Sequence, residues 1–136
     1  MRHPRRPRAL LATTLLGLAL TAAAGLATPA RAGRAEVRIA AAAETFAAAQ
    51  ARYAAGTITL DDVYTWSVRW LDAQRDQPLK GKALVAAARA HLERMTALEV
   101  EVTEAVDAGR ASSYDLAAAR YYRAEAELWV ERKGKR

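Results

Sequence analysis

The sequence predicts an all-α protein: an antiparallel four-helix bundle made of two repeated αα-hairpins with coiled-coil-like seams, following an N-terminal signal peptide. Three observations predict it. An eight-residue stretch, Gly56-Thr57-Ile58-Thr59-Leu60-Asp61-Asp62-Val63, recurs in pattern as Gly109-Arg110-Ala111-Ser112-Ser113-Tyr114-Asp115-Leu116. Four long segments carry apolar residues at alternating steps of three and four, the period of one helical face. Nothing between Gly33 and Arg136 alternates apolar and polar residues as a half-buried strand would.

The repeated stretch is read first because it sets the chain's organisation. Gly56 and Gly109 supply a residue that can take the left-handed conformation closing a helix. Thr59 with Asp62, and Ser112 with Asp115, place a hydroxyl and a carboxylate three residues apart, the pattern that caps the start of the next helix. Each copy is therefore a helix stop followed by a helix start. The connection is three or four residues long, so the flanking helices return on one another.

Taken from the front, the chain opens with Arg2, Arg5, Arg6 and Arg8, then an apolar run from Ala9 to Ala27, then Ala30-Arg31-Ala32. A positive start, an apolar centre and a small-residue site describe a secretory signal peptide, with cleavage expected after Ala32. The organisation expected is thus residues 1–32 as leader and 33–136 as helical domain, with hairpins at about 35–76 and 82–133. Retention of residues 9–27 as a membrane anchor is the alternative, although Thr13, Thr14, Gly17 and Gly25 dilute the run. General secretion is favoured over a twin-arginine signal, because Pro4 and Pro7 flank Arg5-Arg6 and Arg8 stands where an apolar residue is usual. The destination expected is the periplasm or the exterior.

The leader also explains the charge. The full chain has a formal net charge of +6, from 21 Lys and Arg against 15 Asp and Glu. Five arginines and no acidic residue fall in the first 32 positions, leaving 16 cations against 15 anions, a net of +1. Cations and anions are interspersed in the remainder, so no basic face is expected and nucleic acid is not an expected partner. The sequence contains no cysteine. That rules out a disulfide framework and a thiolate metal site, and leaves packing to supply stability.

The first helix, Glu36 to Ala55, has a predicted seam of Ile39, Ala43, Phe46, Gln50 and Tyr53, with alanines beside it that favour helix and permit close approach. The second, Leu60 to Asp76, has Val63, Trp66, Trp70 and Ala73 as seam and Leu71 alongside. Pro78 separates the halves, since proline lacks the N–H and clashes with the preceding turn. The third, Lys82 to Ala108, carries an unbroken seam of Leu84, Ala88, His91, Met95, Leu98, Val102 and Ala105, widened by Val85, Leu92 and Val106. The fourth, to about Glu131, is less regular: Leu116, Ala119, Tyr122, Ala126 and Trp129, with Tyr121, Leu128 and Val130 around them.

Few residues offer chemistry. His91 lies on a seam without the acidic or histidine companions at helical spacing that a metal needs, so a core histidine is expected. Glu99, Glu101, Glu104 and Asp107 crowd the last turns of the third helix, where carboxylates oppose the helix dipole. A solvated face is the expectation, and a cation site there or at His91 the alternative. No nucleophile motif, phosphate loop or dinucleotide fingerprint occurs, so neither catalysis nor a cofactor is expected. Trp66, Trp70, Tyr121, Tyr122 and Trp129 fall on the second helices of the two hairpins and cover more than one face of each. They are the candidate interaction residues, most of them also expected to fill the core.

The junction Ala51-Arg52-Tyr53-Ala54-Ala55-Gly56-Thr57-Ile58-Thr59-Leu60-Asp61-Asp62-Val63, extended by Leu71-Asp72-Ala73-Gln74, resembles the helix–turn–helix signature of the outer-membrane efflux (TolC-like) family. Residues 102 to 125 give a second copy. The resemblance implies an exported coiled-coil helical protein working in transport assemblies of the Gram-negative envelope. Members of that family are several times longer and carry membrane β-strands between their helices, whereas nothing between Gly33 and Arg136 alternates like a strand. The function expected is a non-enzymatic structural or interaction protein that binds an envelope protein or itself. A periplasmic sensor or sequestering module for a metal or small ligand is the alternative.

Overall fold

The computed structural model describes residues 29–78 and 81–134. Within them the protein is all-helical, with α1 at Pro29–Ala54, α2 at Leu60–Arg75, α3 at Gly81–Asp107 and α4 at Ser113–Gly134, and no strand. The leader expected over residues 1–32 lies outside the described residues apart from the first turn of α1. That helix begins seven residues earlier than the Glu36 start its apolar pattern indicated. Proline is well accommodated in a first turn, where its missing N–H has no partner to lose.

The two junctions have the same hydrogen bonding. Gly56 and Gly109 take φ of 69° and 68°. At the first, Thr57 N–H donates to the Arg52 carbonyl at 2.9 Å; at the second, Arg110 N–H donates to Ala105 at 2.7 Å. These six-residue closures satisfy carbonyls the helix end would otherwise leave free. The next helix is then started reciprocally. Thr59 N–H donates to Asp62 Oδ2 at 2.9 Å and Asp62 N–H to Thr59 Oγ1 at 3.3 Å. Ser112 and Asp115 repeat this at 2.9 and 3.2 Å. Hydrogen bonding from Thr59 holds the Asp62 carboxyl below the usual carboxylate range.

Helix α1 packs along α2 and α3 along α4, while α2 also packs on α3 and touches α4. Among the described residues α1 comes close in backbone only to α2, which makes α2 the central helix. Its buried positions are Leu60, Val63, Ser67, Leu71 and Ala73. Ser67 therefore occupies the middle of the face, between Val63 and Leu71 at steps of four. Trp66, expected on the seam, is half-buried beside it, with the Arg69 guanidinium 4.6 Å above its ring.

The α3 seam is buried from Ala88 through His91, Met95, Leu98 and Val102 to Ala105, with Leu84 half-buried at the open end. In α1 the buried residues are Ala42, Phe46 and Ala49. Ala43 and Gln50, assigned to that seam from sequence, are half-buried at its edge. The steps from Ile39 are three then four, which turns the stripe slightly and puts alanine, not glutamine, against α2. Phe46, Val63, Met95, Leu98, Val102, Ala119 and Ala126 belong to one apolar cluster drawn from all four helices. Burying a Leu or Met side chain stabilises by about 1.5–3 kcal/mol, so this cluster dominates the packing energy.

Candidate functional site: a buried polar cluster and the outward face of α4

The seam serine and histidine meet. Ser67 Oγ lies 2.9 Å from His91 Nδ1 and accepts from Arg94 Nε at 2.8 Å. Around them His91 stacks on Trp129 at 5.2 Å and the Arg94 guanidinium lies 4.1 Å over Trp70 and 5.7 Å from the neighbouring Phe46 ring. Both Ser67 and His91 are fully buried, and His91 Nε2 has no hydrogen-bond partner. Burial, aided by the nearby Arg94 charge, pushes the imidazole down to about 4. Burial likewise lowers Arg94, to about 10, so it stays charged at neutral pH.

A Ser–His contact invites comparison with a nucleophile and its base, but the geometry does not support that. The hydroxyl is sealed among aromatic rings, it already accepts from Arg94, and no carboxylate hydrogen-bonds His91. The arrangement joins α2 to α3 through hydrogen bonds of Ser67 to His91 and Arg94, with His91 Nε2 left unpaired. Ser67 was invisible to the apolar-pattern reading because its partners lie on another helix. The signal available was its step of four from both Val63 and Leu71.

The five candidate interaction residues do not form one patch. Trp70 is half-buried against Phe46 at 5.9 Å, and Trp129 is half-buried on His91. Tyr122 stacks on Tyr64 at 4.0 Å and donates its hydroxyl to Asp61 Oδ1 at 3.0 Å. Tyr64 donates in turn to Glu125. Burial first, and then these carboxylates, raise both phenols, Tyr122 to about 12. Trp70 and Tyr122 thus pack α2 against α1 and α4, Trp129 packs α4 against α3, Trp66 is half-buried under Arg69, and Tyr121 alone stands out, 63% exposed.

Tyr121 has company that the sequence reading did not pick out. Tyr114 is 79% exposed and Leu128, placed from sequence beside the seam, is 48% exposed. The three are seven residues apart, and Ala117, Ala124 and Glu131, also exposed, fall between and after them at steps of three and four. On a helix of 3.6 residues per turn these six positions share a stripe roughly 100° wide. That stripe lies opposite the side carrying Leu116, Ala119, Ala126 and Val130. The fourth helix looked irregular because it has two apolar faces, one turned inward and one outward.

Of the acidic residues towards the end of α3, Glu99 is held by arginines of α4. Glu99 accepts from Arg123 and pairs with Arg120 at 3.6 Å, and Arg123 also donates to Glu127. Among the described residues no three His, Cys, Asp or Glu side chains converge as metal ligands would. A shallow apolar groove of about 420 Å³ lies between α1, α2 and α3, lined by Ile39, Gln74, Gln77 and the alanines of early α3. None of the described helices is long and apolar enough to cross a membrane. No family model matches the chain, and no curated protein or solved structure shows significant similarity to it.

Proposed function

We propose that this chain is an exported, non-enzymatic helical interaction protein of the cell envelope. In this reading residues 1–32 are a signal peptide removed after Ala32, and the rest is an antiparallel four-helix bundle of two hairpins that presents a binding face to an envelope protein or to itself. The observation that carries the reading is the outward stripe of α4, where two tyrosines and a leucine recur every seven residues at high exposure. Such residues cost solubility when left in water, and heptad spacing is what a facing helix requires. The efflux-family resemblance of the two junctions supports an envelope setting in or near a transport assembly.

Support for the bundle comes from pairs at two levels of each hairpin. Arg38 with Asp76 and Phe46 with Trp70 favour α1 and α2 running in opposite directions, and Glu99 with Arg123 and His91 with Trp129 do so for α3 and α4. The test places a photo-crosslinking residue at Tyr121 in cells, with exposed Arg89 on α3 as the control position. Discrete products from Tyr121 and none from Arg89 are expected. Absence of any product from Tyr121 overturns the reading, and N-terminal sequencing of the purified protein decides the leader.

A further inference from the structure

Resting on that reading, the outward stripe of α4 specifies its own partner: we infer that it pairs with the same stripe of a second copy, the two α4 helices running antiparallel. The stripe alternates large and small side chains. Tyr114, Tyr121 and Leu128 occupy one heptad position, and Ala117 and Ala124 occupy the other, with Glu131 next in line. Two facing helices fill space when large residues on one meet small residues on the other.

An antiparallel pairing of the stripe with itself meets that condition along its centre. With Tyr121 set against Ala124 of the second copy, Ala117 falls against Leu128 and Tyr114 against Glu131. The last contact lets the Tyr114 hydroxyl donate to the Glu131 carboxylate. A two-fold axis between residues 122 and 123 repeats each contact, giving the closed, self-complementary interface commonest among oligomers. A parallel pairing would instead set Tyr121 against Tyr121 and Ala124 against Ala124, crowding one level and emptying the next.

The antiparallel register also matches charge across the seam. Beside the stripe, on its α3-facing edge, stand Arg120 and Glu127, side chains 62% and 45% exposed. In the antiparallel register Arg120 of one copy comes alongside Glu127 of the other, and the axis makes two such pairs. Both residues also have partners within the chain, Glu99 and Arg123, and the second copy would add to those pairs. A parallel pairing would also set opposite charges together, Arg120 near Glu125 and Glu127 near the exposed Arg132, so the orientation rests on the fit of large against small side chains. The stripe spans about 25 Å of helix, so the interface lies at the small end of specific contacts and association is expected to be reversible and concentration-dependent.

The test is light scattering of the full chain over a concentration series, with three variants. The unaltered chain should rise from the mass of one copy towards that of two. Tyr121→Glu should hold it at one copy with its helical circular dichroism unchanged, since Tyr121 touches little of the core. Arg120→Glu alone should weaken the dimer at least tenfold by setting the new carboxylate against Glu127, and Arg120→Glu with Glu127→Arg should recover most of the loss. A chain that stays at one copy throughout overturns the inference. So does a dimer indifferent to Tyr121→Glu, or a double variant as weak as the single one. A monomeric chain that still crosslinks from Tyr121 to a product of another mass removes self-pairing and leaves the interaction reading standing, whereas a monomer with no crosslink removes both.

Discussion

The imidazole of His91 offers the sharpest quantitative test of the packing. It is the sole histidine among the described residues, it is 1% exposed, and its ordinary value of 6.5 is pushed down to about 4 by burial and the nearby Arg94 charge. Protonation would make both ring nitrogens donors, with no acceptor facing Nε2 and only the Ser67 hydroxyl, which already accepts from Arg94, facing Nδ1. The unfolded chain takes up the proton near pH 6.5 and the folded chain only near 4. Stability from the neutral histidine is therefore complete above pH 6.5 and is lost as pH falls between these values. At pH 5 the loss relative to pH 7.5 is about 2 kcal/mol, from one and a half units at about 1.4 kcal/mol each. For a domain near a hundred residues that lowers the melting temperature by roughly 8–16 °C. Urea unfolding of the unaltered chain and of His91→Leu at pH 7.5, 6.5, 5.5 and 5 separates this loss from carboxylate titration, because the carboxylates are common to both proteins. Leucine should be less stable at pH 7.5, with Ser67 robbed of a partner, but should lose about 2 kcal/mol less on acidification. Parallel profiles for the two proteins would refute the reasoning, since they would mean that His91 titrates alike folded and unfolded.

The junctions and the core supply further tests. Gly56→Ala and Gly109→Ala place a side chain at a φ near +69°, with no atom within 4 Å to clash, so each should cost about 1–2 kcal/mol through backbone conformation alone. The two losses should add in thermal melts of the double variant, because the sites share no partner. Thr59→Ala and Ser112→Ala each remove a cap and should cost about 1 kcal/mol in chemical denaturation, by similar amounts because the hydrogen bonding is the same. Met95→Ala opens a cavity at a site with no solvent exposure and should cost about 2–5 kcal/mol. Ser67→Ala leaves Arg94 Nε without its acceptor in a half-buried position and should cost about 1–3 kcal/mol by the same measurement.

Local chemistry fixed the helix boundaries at the two junctions, which is why those can be read from the sequence, whereas the start of α1 carries no such signal. A left-handed glycine, and a hydroxyl three residues before a carboxylate, act within one turn of chain and need no distant partner, so Gly56, Thr59 and Asp62 and their counterparts Gly109, Ser112 and Asp115 were legible at sight. The α3 seam was legible for a related reason: seven positions in unbroken four-three steps admit only one inward face. The α1 stripe was legible to within one position. Alanine stands at residues 40 to 43 and 47 to 49, so composition does not distinguish Ala42 from Ala43, and the approach of α2 decides.

What only the tertiary structure decided is the use of side chains that suit either surface or core. Ser67 became a core residue because His91 and Arg94 reach it from α3. Tyr122 and Trp129 turned inward because Tyr64 and His91 offered rings to stack on. Tyr114, Tyr121 and Leu128, no less apolar by type, were left facing water because no described helix of the same chain covers that side of α4. Helical periodicity tells which residues share a face, and the sequence by itself determined that much for every helix. Which face is covered depends on where the other helices lie, and that is settled by packing between segments far apart in the chain.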